Sequence, residues 1–179
     1  MEAVILDRDG VINHDSPDYV KCADEWHAID GSLEAIARLT KAGIKVFIAS
    51  NQSGIAYGLF DYSTLHSMHK KLLHETESFG GRISGFFFCP FLSGPCRKPN
   101  PGLLQDIAYR AHVNLETTPF IGDAMRDLEA AMAVDAIPVL VKTGKGTSTL
   151  NSGEVPDHVQ VYENLYEAVE SLLKQQGTN

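Results

Sequence analysis

The sequence is poor in the features that mark secreted, membrane or nucleic-acid-binding chains. Cysteine occurs only at Cys22, Cys89 and Cys96, an odd set without the regular spacing of a disulfide framework. Reduced thiols in a cytoplasm are therefore expected. Positive charge is also scarce, since 15 Lys and Arg stand against 23 Asp and Glu for a formal net charge of −8. That balance argues against a general nucleic-acid partner or an anionic-membrane surface and leaves room only for a local basic pocket. No apolar run approaches the roughly 18 residues of a membrane span. No signal-peptide pattern precedes the first apolar run, which begins almost at once. Internal repeats, low-complexity tracts and linkers are missing too. One domain over residues 1–174 is expected, with residues 175–179 as a frayed tail.

What is present is a set of short apolar runs rich in β-branched and aromatic residues: AVIL (3–6), IKVFIAS (44–50), GFFFC (85–89), PFIG (119–122) and IPVLV (137–141). None alternates strictly, as expected of strands buried on both faces. Helical patterns lie between them. SLEAIARLTKAG carries Leu33, Ile36 and Leu39 at helical spacing, with Gly43 as a stop. STLHSMHKKLLHETESFGG places Leu65, Met68, Leu72 and Leu73 on one stripe, with His66, His69 and His74 expected at the surface. NPGLLQDIAYRA predicts Asn100 as N-cap and Pro101 in the first helical position. RDLEAAMAVD and ENLYEAVESLLKQ supply the last two helices. Strand and helix alternate throughout, which predicts an α/β fold with a doubly wound, mostly parallel sheet.

Ligands of such sheets sit at the carboxyl ends of the strands. Here those ends carry Asp7 and Asp9, then Ser50 and Asn51, then Arg97 and Lys98 beyond Cys89, and finally Asp123 and Asp127. Singly, each has an ordinary reading: Asp7 and Asp9 as a strand cap, Ser50-Asn51-Gln52 as a turn, Arg97-Lys98 as a solvated pair. Together, acids beside a lysine suit a divalent cation and a phosphate sharing one site, because Mg²⁺ takes hard oxygen ligands. An Asp carboxylate can attack phosphorus, and a second acid two residues along can move the proton. Residues i and i+2 of an extended strand point the same way, so Asp7 and Asp9 can flank one phosphorus.

The phrases LDRDGVIN, ASNQSG, CRKPNPG and GDAMRD, in that order and spacing, resemble the four motifs of the haloacid dehalogenase superfamily of phosphatases. The longer phrases, with VKTGKG, resemble its histidinol-phosphatase-like branch and, within it, the heptose-bisphosphate phosphatases. The likeness runs from Ala3 to Gly146. It implies a Rossmann-like core and hydrolysis of a sugar phosphate through an aspartyl-phosphate. The implied substrate is the 7-phosphate of D-glycero-D-manno-heptose 1,7-bisphosphate, a precursor of the lipopolysaccharide core. Asp7 would be nucleophile and Asp9 general acid/base, with Ser50 and Lys98 on the transferring phosphate. Asp7, Asp123 and the Asp9 backbone carbonyl would hold Mg²⁺, supported by Asp127. Asp15, Tyr19, Asn51, Gln52, Ser53 and Arg97 would contact substrate.

The chain departs from that pattern twice. Ala124 stands where relatives often carry Lys, and the family's zinc loop here reads CPFLSGPCRKP, with Phe91 and Gly94 in place of ligands. Only Cys89 and Cys96 remain of four, so no zinc is expected, and a Cys89–Cys96 disulfide is disfavoured by a reducing cytoplasm. About 25 residues follow strand one and about 11 follow strand three, too few for a cap domain. An open, capless, monomeric enzyme is the expectation. Histidinol-phosphate phosphatase is the enzymatic alternative. A phosphoacceptor signalling module is the alternative of another class, and the Asp7/Asp9 pair favours turnover over it. A third reading, a degenerate binding protein without catalysis, is opposed by the intact acids. Gly144 and Gly146 are open between a phosphate-binding loop and a flexible one, as Tyr57 and Phe60 are between packing and substrate contact.

Overall fold

The computed structural model describes residues 1–176. Six parallel strands form one sheet: β1 (Ala3–Leu6), β2 (Lys45–Asn51), β3 (Gly85–Cys89), β4 (Pro119–Gly122), β5 (Ile137–Val141) and β6 (Gln160–Tyr162), in the order β3-β2-β1-β4-β5-β6. Between them run α1 (Ser32–Lys41), α2 (Tyr62–Ser78), α3 (Gly102–Ala111), α4 (Met125–Met132) and α5 (Gly146–Asn151), and α6 (Leu165–Gln176) follows the last strand. The chain winds outward from β1 through β2 to β3, then crosses back to lay β4 on the other side of β1. That reversal is the switch point at which such sheets open a crevice.

The alternation of side chains along β1 explains its unbroken apolar sequence. Val4 and Leu6 pack with Leu33, Ile36, Leu65, Met68 and Val169 of α1, α2 and α6. Ala3 and Ile5 face the other way, onto Leu103, Leu104 and Ile107 of α3 and Ala130 and Ala131 of α4. All four β1 residues are buried, as a strand covered on both faces must be. A third, smaller cluster joins Leu128 of α4 to Leu140 of β5 and Val159.

Several expectations are corrected here. The strand β6 was not anticipated, because three half-exposed residues carry no apolar run and depend on β5 for register, Val139 opposite Gln160. The segment left open between a phosphate-binding loop and a flexible one is a turn through Gly144 that leads into α5 at Gly146, with Thr147 N on Lys142 O and Thr149 N on Lys145 O. Pro101, not Asn100, caps α3, and the Asn100 amide instead donates to Gly94 O at 3.1 Å. His69 is buried, its ring stacked on Phe86 at 4.2 Å, while His66 and His74 are exposed as expected. The half-buried edge strand β3 offers Phe86 and Phe88 to α2, and His69 meets them. Of the expected frayed tail, Gln175 and Gln176 continue α6, and Gln176 Nε2 donates to Met1 O at 2.8 Å. Residues 177–179 lie outside the described residues.

Cys89 and Cys96 are joined in a disulfide, against the expectation of free thiols, and Cys22 is free. The intervening loop doubles back, with Arg97 N on Gly94 O and Gly102 N on Pro95 O, which brings the two Cα atoms to 5.5 Å. That spacing is what a disulfide needs. Among the described residues no helix is long and apolar enough to cross a membrane.

Candidate active site

The site begins where β1 runs out of apolar residues. Asp7 N still donates to Ile121 O, so the β1–β4 ladder extends one residue beyond the strand and fixes the Asp7 backbone. Its side chain is almost wholly buried. Asp7 Oδ1 accepts from Arg8 N at 2.7 Å and from Lys98 Nζ at 3.0 Å. Lys98 reaches it from the loop after β3. The lysine is fully buried, donates to Ala49 O at 2.8 Å and ion-pairs with Asp127 Oδ1 at 2.7 Å. Its backbone is held by Asn51, which accepts from Lys98 N and donates to Lys98 O. Burial favours a neutral lysine, but the carboxylates of Asp127 and Asp7 outweigh it and hold the Lys98 pKa above its ordinary value.

Asp123 directly follows β4, and Asp127 lies in the first turn of α4. Asp123 Oδ2 accepts from Lys145 N at 2.8 Å, and Asp127 Oδ2 caps the helix by accepting from Ala124 N at 3.1 Å. The other Asp123 oxygen, Oδ1, is buried without a hydrogen-bond partner. Burial, then the charges of Asp7 and Asp127, push the Asp123 carboxyl up to about 7. Asp7 is raised as well, by burial first and by Asp127 and Asp9 against the opposing pull of Lys98. The acids Asp7, Asp123 and Asp127 can each present an oxygen within 4.8 Å of the others. Three buried carboxylates, one with an orphaned oxygen and two with raised pKa, fit a small hard cation.

Two glycines make room for this cluster. A Cβ on Gly10, at φ +85°, would lie 2.1 Å from Asp123 Oδ2. A Cβ on Gly144, at φ +57°, would lie 2.2 Å from the same oxygen. Both chains must pass close to Asp123, and both adopt the left-handed backbone that glycine permits.

Above the acids lies a cavity of about 200 Å³. Asp7, Asp9, Ser50, Asn51, Ser53 and Arg97 line it, as do Asp15 and Tyr19 from the loop after β1. Thus most of the sequence-predicted site residues meet in one place. Gln52 stands apart: it is buried, and its amide donates at 2.9 Å to both Asp9 Oδ2 and Ser50 Oγ. Phe91 is exposed in the loop after β3, and Tyr57 packs its ring against Tyr19 at 6.0 Å. Phe60 is buried and packs in the core, where its ring closes over Gly54.

Sequence reasoning missed two cations of the cavity wall, Arg126 and Lys145. Arg126 directly precedes Asp127 in the GDAMRD phrase, in the first turn of a helix that starts at a strand's carboxyl end, which was the available signal. Despite burial its pKa is raised, by Asp127 first and then by Asp7, Asp123 and Asp15. Lys145 sits between the two glycines of KTGKG and pairs with Asp15 Oδ2 at 2.8 Å, closing one side of the mouth. Arg8, inside the DRDG phrase, was also overlooked. Its guanidinium is buried and pairs with Asp9 at 2.9 Å. Burial alone would raise the Asp9 carboxyl, but Arg8 and hydrogen bonds from Asn13 and Gln52 hold it below the usual range.

Comparison with known proteins bears on this arrangement. The family profile described as "HAD-hyrolase-like" matches residues 95–168. D-glycero-beta-D-manno-heptose-1,7-bisphosphate 7-phosphatase of Bordetella bronchiseptica is 47% identical over 98% of this chain and 99% of its own length. The Pseudomonas aeruginosa enzyme of the same name is 47% identical over 96% and 97%. A crystal structure of the B. bronchiseptica D,D-heptose 1,7-bisphosphate phosphatase, complexed with magnesium and phosphate, superposes with a TM-score of 0.95 over 98% of this chain and 99% of that one. With relatives this similar along nearly their whole lengths, the chain belongs to the D-glycero-beta-D-manno-heptose-1,7-bisphosphate 7-phosphatase family of haloacid dehalogenase-like hydrolases.

Proposed function

We propose that the protein is a Mg²⁺-dependent phosphatase that removes the 7-phosphate of D-glycero-β-D-manno-heptose 1,7-bisphosphate. The observation that carries this reading is the buried Asp7–Lys98–Asp127 chain beneath a cavity walled by Asp9, Ser50 and cations. It is supported by relatives of that name and by a neighbour that holds magnesium and phosphate. Asp7, Asp123 and the Asp9 carbonyl would hold the ion, with Asp127 behind them. When bound, Mg²⁺ supplies positive charge against the phosphate oxygens and offsets the acids.

The protein's own groups do the rest. An Asp7 carboxylate oxygen attacks phosphorus, the bond from phosphorus to the sugar oxygen breaks, and that oxygen takes a proton through Asp9. Asp9 is ionised in the free protein and so must bind the proton together with the substrate. Water then attacks the phosphorus of the aspartyl-phosphate, its proton goes to Asp9, and the bond to Asp7 breaks, which releases phosphate and restores both acids. Ser50 donates to a phosphate oxygen, and Lys98 neutralises charge that grows on the phosphoryl group. Asp7 Oδ1 already takes two hydrogen bonds, so its carboxylate is held in one orientation before substrate arrives.

A substrate with two phosphates needs charge for the second. Arg97, Arg126 and Lys145 line the same cavity as Asp7 and Asp9 and suit that second anion. Asp15, Tyr19 and Ser53 are placed to contact the sugar. A single neutral or cationic tail, as in histidinol phosphate, would leave those cations unmatched. The phosphoacceptor alternative is disfavoured because β3 ends in Cys89, tied to Cys96, rather than in an acid. We place the monomeric enzyme in the cytoplasm, with lipopolysaccharide core precursor synthesis as its setting, on the strength of its relatives' substrate.

Phosphate release from heptose 1,7-bisphosphate and from histidinol phosphate, measured side by side with Mg²⁺, tests the reading. The bisphosphate should be hydrolysed at least tenfold more efficiently, and Asp7→Asn should abolish the activity. Equal or preferred hydrolysis of histidinol phosphate would reassign the substrate, and undiminished turnover by Asp7→Asn would remove the mechanism.

A further inference from the structure

Arg8 lies between the two acids of the site, yet it turns away from the cavity. Its side chain is 1% exposed, and its only ion-pair partner among the described residues is Asp9. Nε and Nη2 both donate to Asp9 Oδ1, at 3.1 and 2.9 Å, and Nη2 also reaches Oδ2 at 3.0 Å. The same Nη2 donates to Gln52 Oε1 at 3.1 Å. Gln52 in turn donates from Nε2 to Asp9 Oδ2 and to Ser50 Oγ. Asn13, fully buried, adds a further donor to the ring, Nδ2 to Asp9 Oδ1 at 2.9 Å.

Such a ring is a costly way to stabilise a fold. A guanidinium removed from water loses several kcal/mol of hydration, and a buried ion pair regains little more than that. Arg8 Nη1 is left without any partner, so the arginine is not even fully satisfied. What the network does secure is direction: three side chains from β1's loop and β2's end fix both oxygens of one carboxylate and tie it to the Ser50 hydroxyl.

We propose that Arg8 is a positioning residue which, together with Gln52, orients the Asp9 carboxylate for proton transfer and couples it to Ser50. The inference rests on the reading of Asp9 as the acid and base. The guanidinium fork supplies two parallel donors that a lysine cannot reproduce, and Gln52 sets the distance between the proton-transfer group and the phosphate-binding hydroxyl. Neither residue lines the cavity above the acids. Arg8 acts on where Asp9 sits when the sugar oxygen leaves and when water attacks, and Gln52 does the same while also holding the Ser50 hydroxyl.

Leaving-group dependence tests this. 4-Nitrophenyl phosphate needs no proton on its leaving oxygen, whereas the sugar phosphate does. In Arg8→Met and Gln52→Leu, the first-turnover burst of nitrophenolate should stay within about threefold of the wild type. Steady-state turnover of both substrates should fall about 10²-fold, because the hydrolytic half still needs Asp9 as base. Arg8→Lys should recover only part of the loss. Gln52→Leu keeps the test open should Arg8→Met fail to fold, which thermal melting reports. A burst that falls as far as the steady state, or no loss in either variant, overturns the proposal. Asp9→Asn serves as the control: if it turns over the sugar phosphate normally, the reading of Asp9 as acid and base fails and the proposal falls with it. An impaired Asp9→Asn beside unimpaired Arg8→Met and Gln52→Leu overturns the proposal alone.

Discussion

A carboxylate buried beside two others, as Asp123 is, sets stability against function. Its carboxyl lies at about 7 rather than the ordinary 3.8, so the folded protein binds more protons than the unfolded chain between those values. Stability from this group is therefore full below about pH 4 and is lost as pH rises through 7. The shift corresponds to a cost on the order of 4 kcal/mol in metal-free protein. With the metal chelated at pH 8, Asp123→Asn should melt above the wild type. Added Mg²⁺ should raise the wild-type melting temperature, leave the variant nearly unchanged and restore no phosphate release to it. A variant that melts lower and still gains from Mg²⁺ would contradict this. Lys98 presents the reverse case. It bridges Asp7 and Asp127, so Lys98→Ala leaves both acids buried without a counter-charge and should cost about 3–5 kcal/mol of stability. It should also raise KM and lower kcat together, since the lost charge served ground and transition states alike. Urea unfolding and steady-state kinetics on the same preparation separate the two effects, and a loss of stability alone would make Lys98 a structural residue.

Among the elements, α2 carries an acid sensitivity that its sequence pattern hides. His69 packs on Phe86 and Phe88, and burial, followed by the charges of Arg8 and His66, lowers its pKa from 6.5 to about 3. The unfolded chain thus binds a proton below pH 6.5 that the folded protein refuses. Stability from this group is present above pH 6.5 and is lost as pH falls toward 3. Between pH 7 and pH 5 the loss is about 2 kcal/mol. His69→Leu should remove that dependence, so the gap between variant and wild-type unfolding free energies should shift by that amount over the same range; a constant gap would show that His69 does not titrate as argued. The loop between β3 and α3 makes a separate prediction. Of four zinc positions in the family pattern, Phe91 and Gly94 carry no ligand, and the Cys89 and Cys96 sulfurs are bonded to each other. Elemental analysis of purified protein should find less than about one-tenth zinc per chain, with full activity in Mg²⁺ alone, since a structural zinc takes four ligands. One tightly held zinc per chain, needed for activity, would reverse the assignment.

For the whole molecule, the described residues hold no inserted domain and the cavity is open at the sheet's carboxyl edge, walled by the loops after β1, β2, β3 and β5 and by the first turn of α4. The net charge of −8 adds mutual repulsion between copies. Light scattering at micromolar concentration should give the mass of a single chain with full specific activity. A dimer that loses activity on dilution would show that a partner copy completes the site.

How much of this was legible beforehand differs by residue. Strands AVIL, GFFFC, PFIG and IPVLV match β1, β3, β4 and β5 residue for residue: β1, β4 and β5, covered on both faces, write their limits as an apolar run, and the half-buried edge strand β3 does so through its phenylalanines. The acids at those strand ends could be located for the same reason: a parallel sheet puts every carboxyl end on one rim. The Arg8–Gln52 bond, the burial of His69 against β3, the Cys89–Cys96 pairing and the Lys145–Asp15 contact were not legible. Each depends on where a second segment lies, and local pattern carries no information about that distance. The sequence by itself determined the order of elements, the side of the sheet that does chemistry and the kinds of groups found there, since periodicity and strand direction are local properties. Only the tertiary structure decided which of those groups face the cavity and which stand behind it to hold the others, because burial and hydrogen bonding arise between segments far apart in the chain.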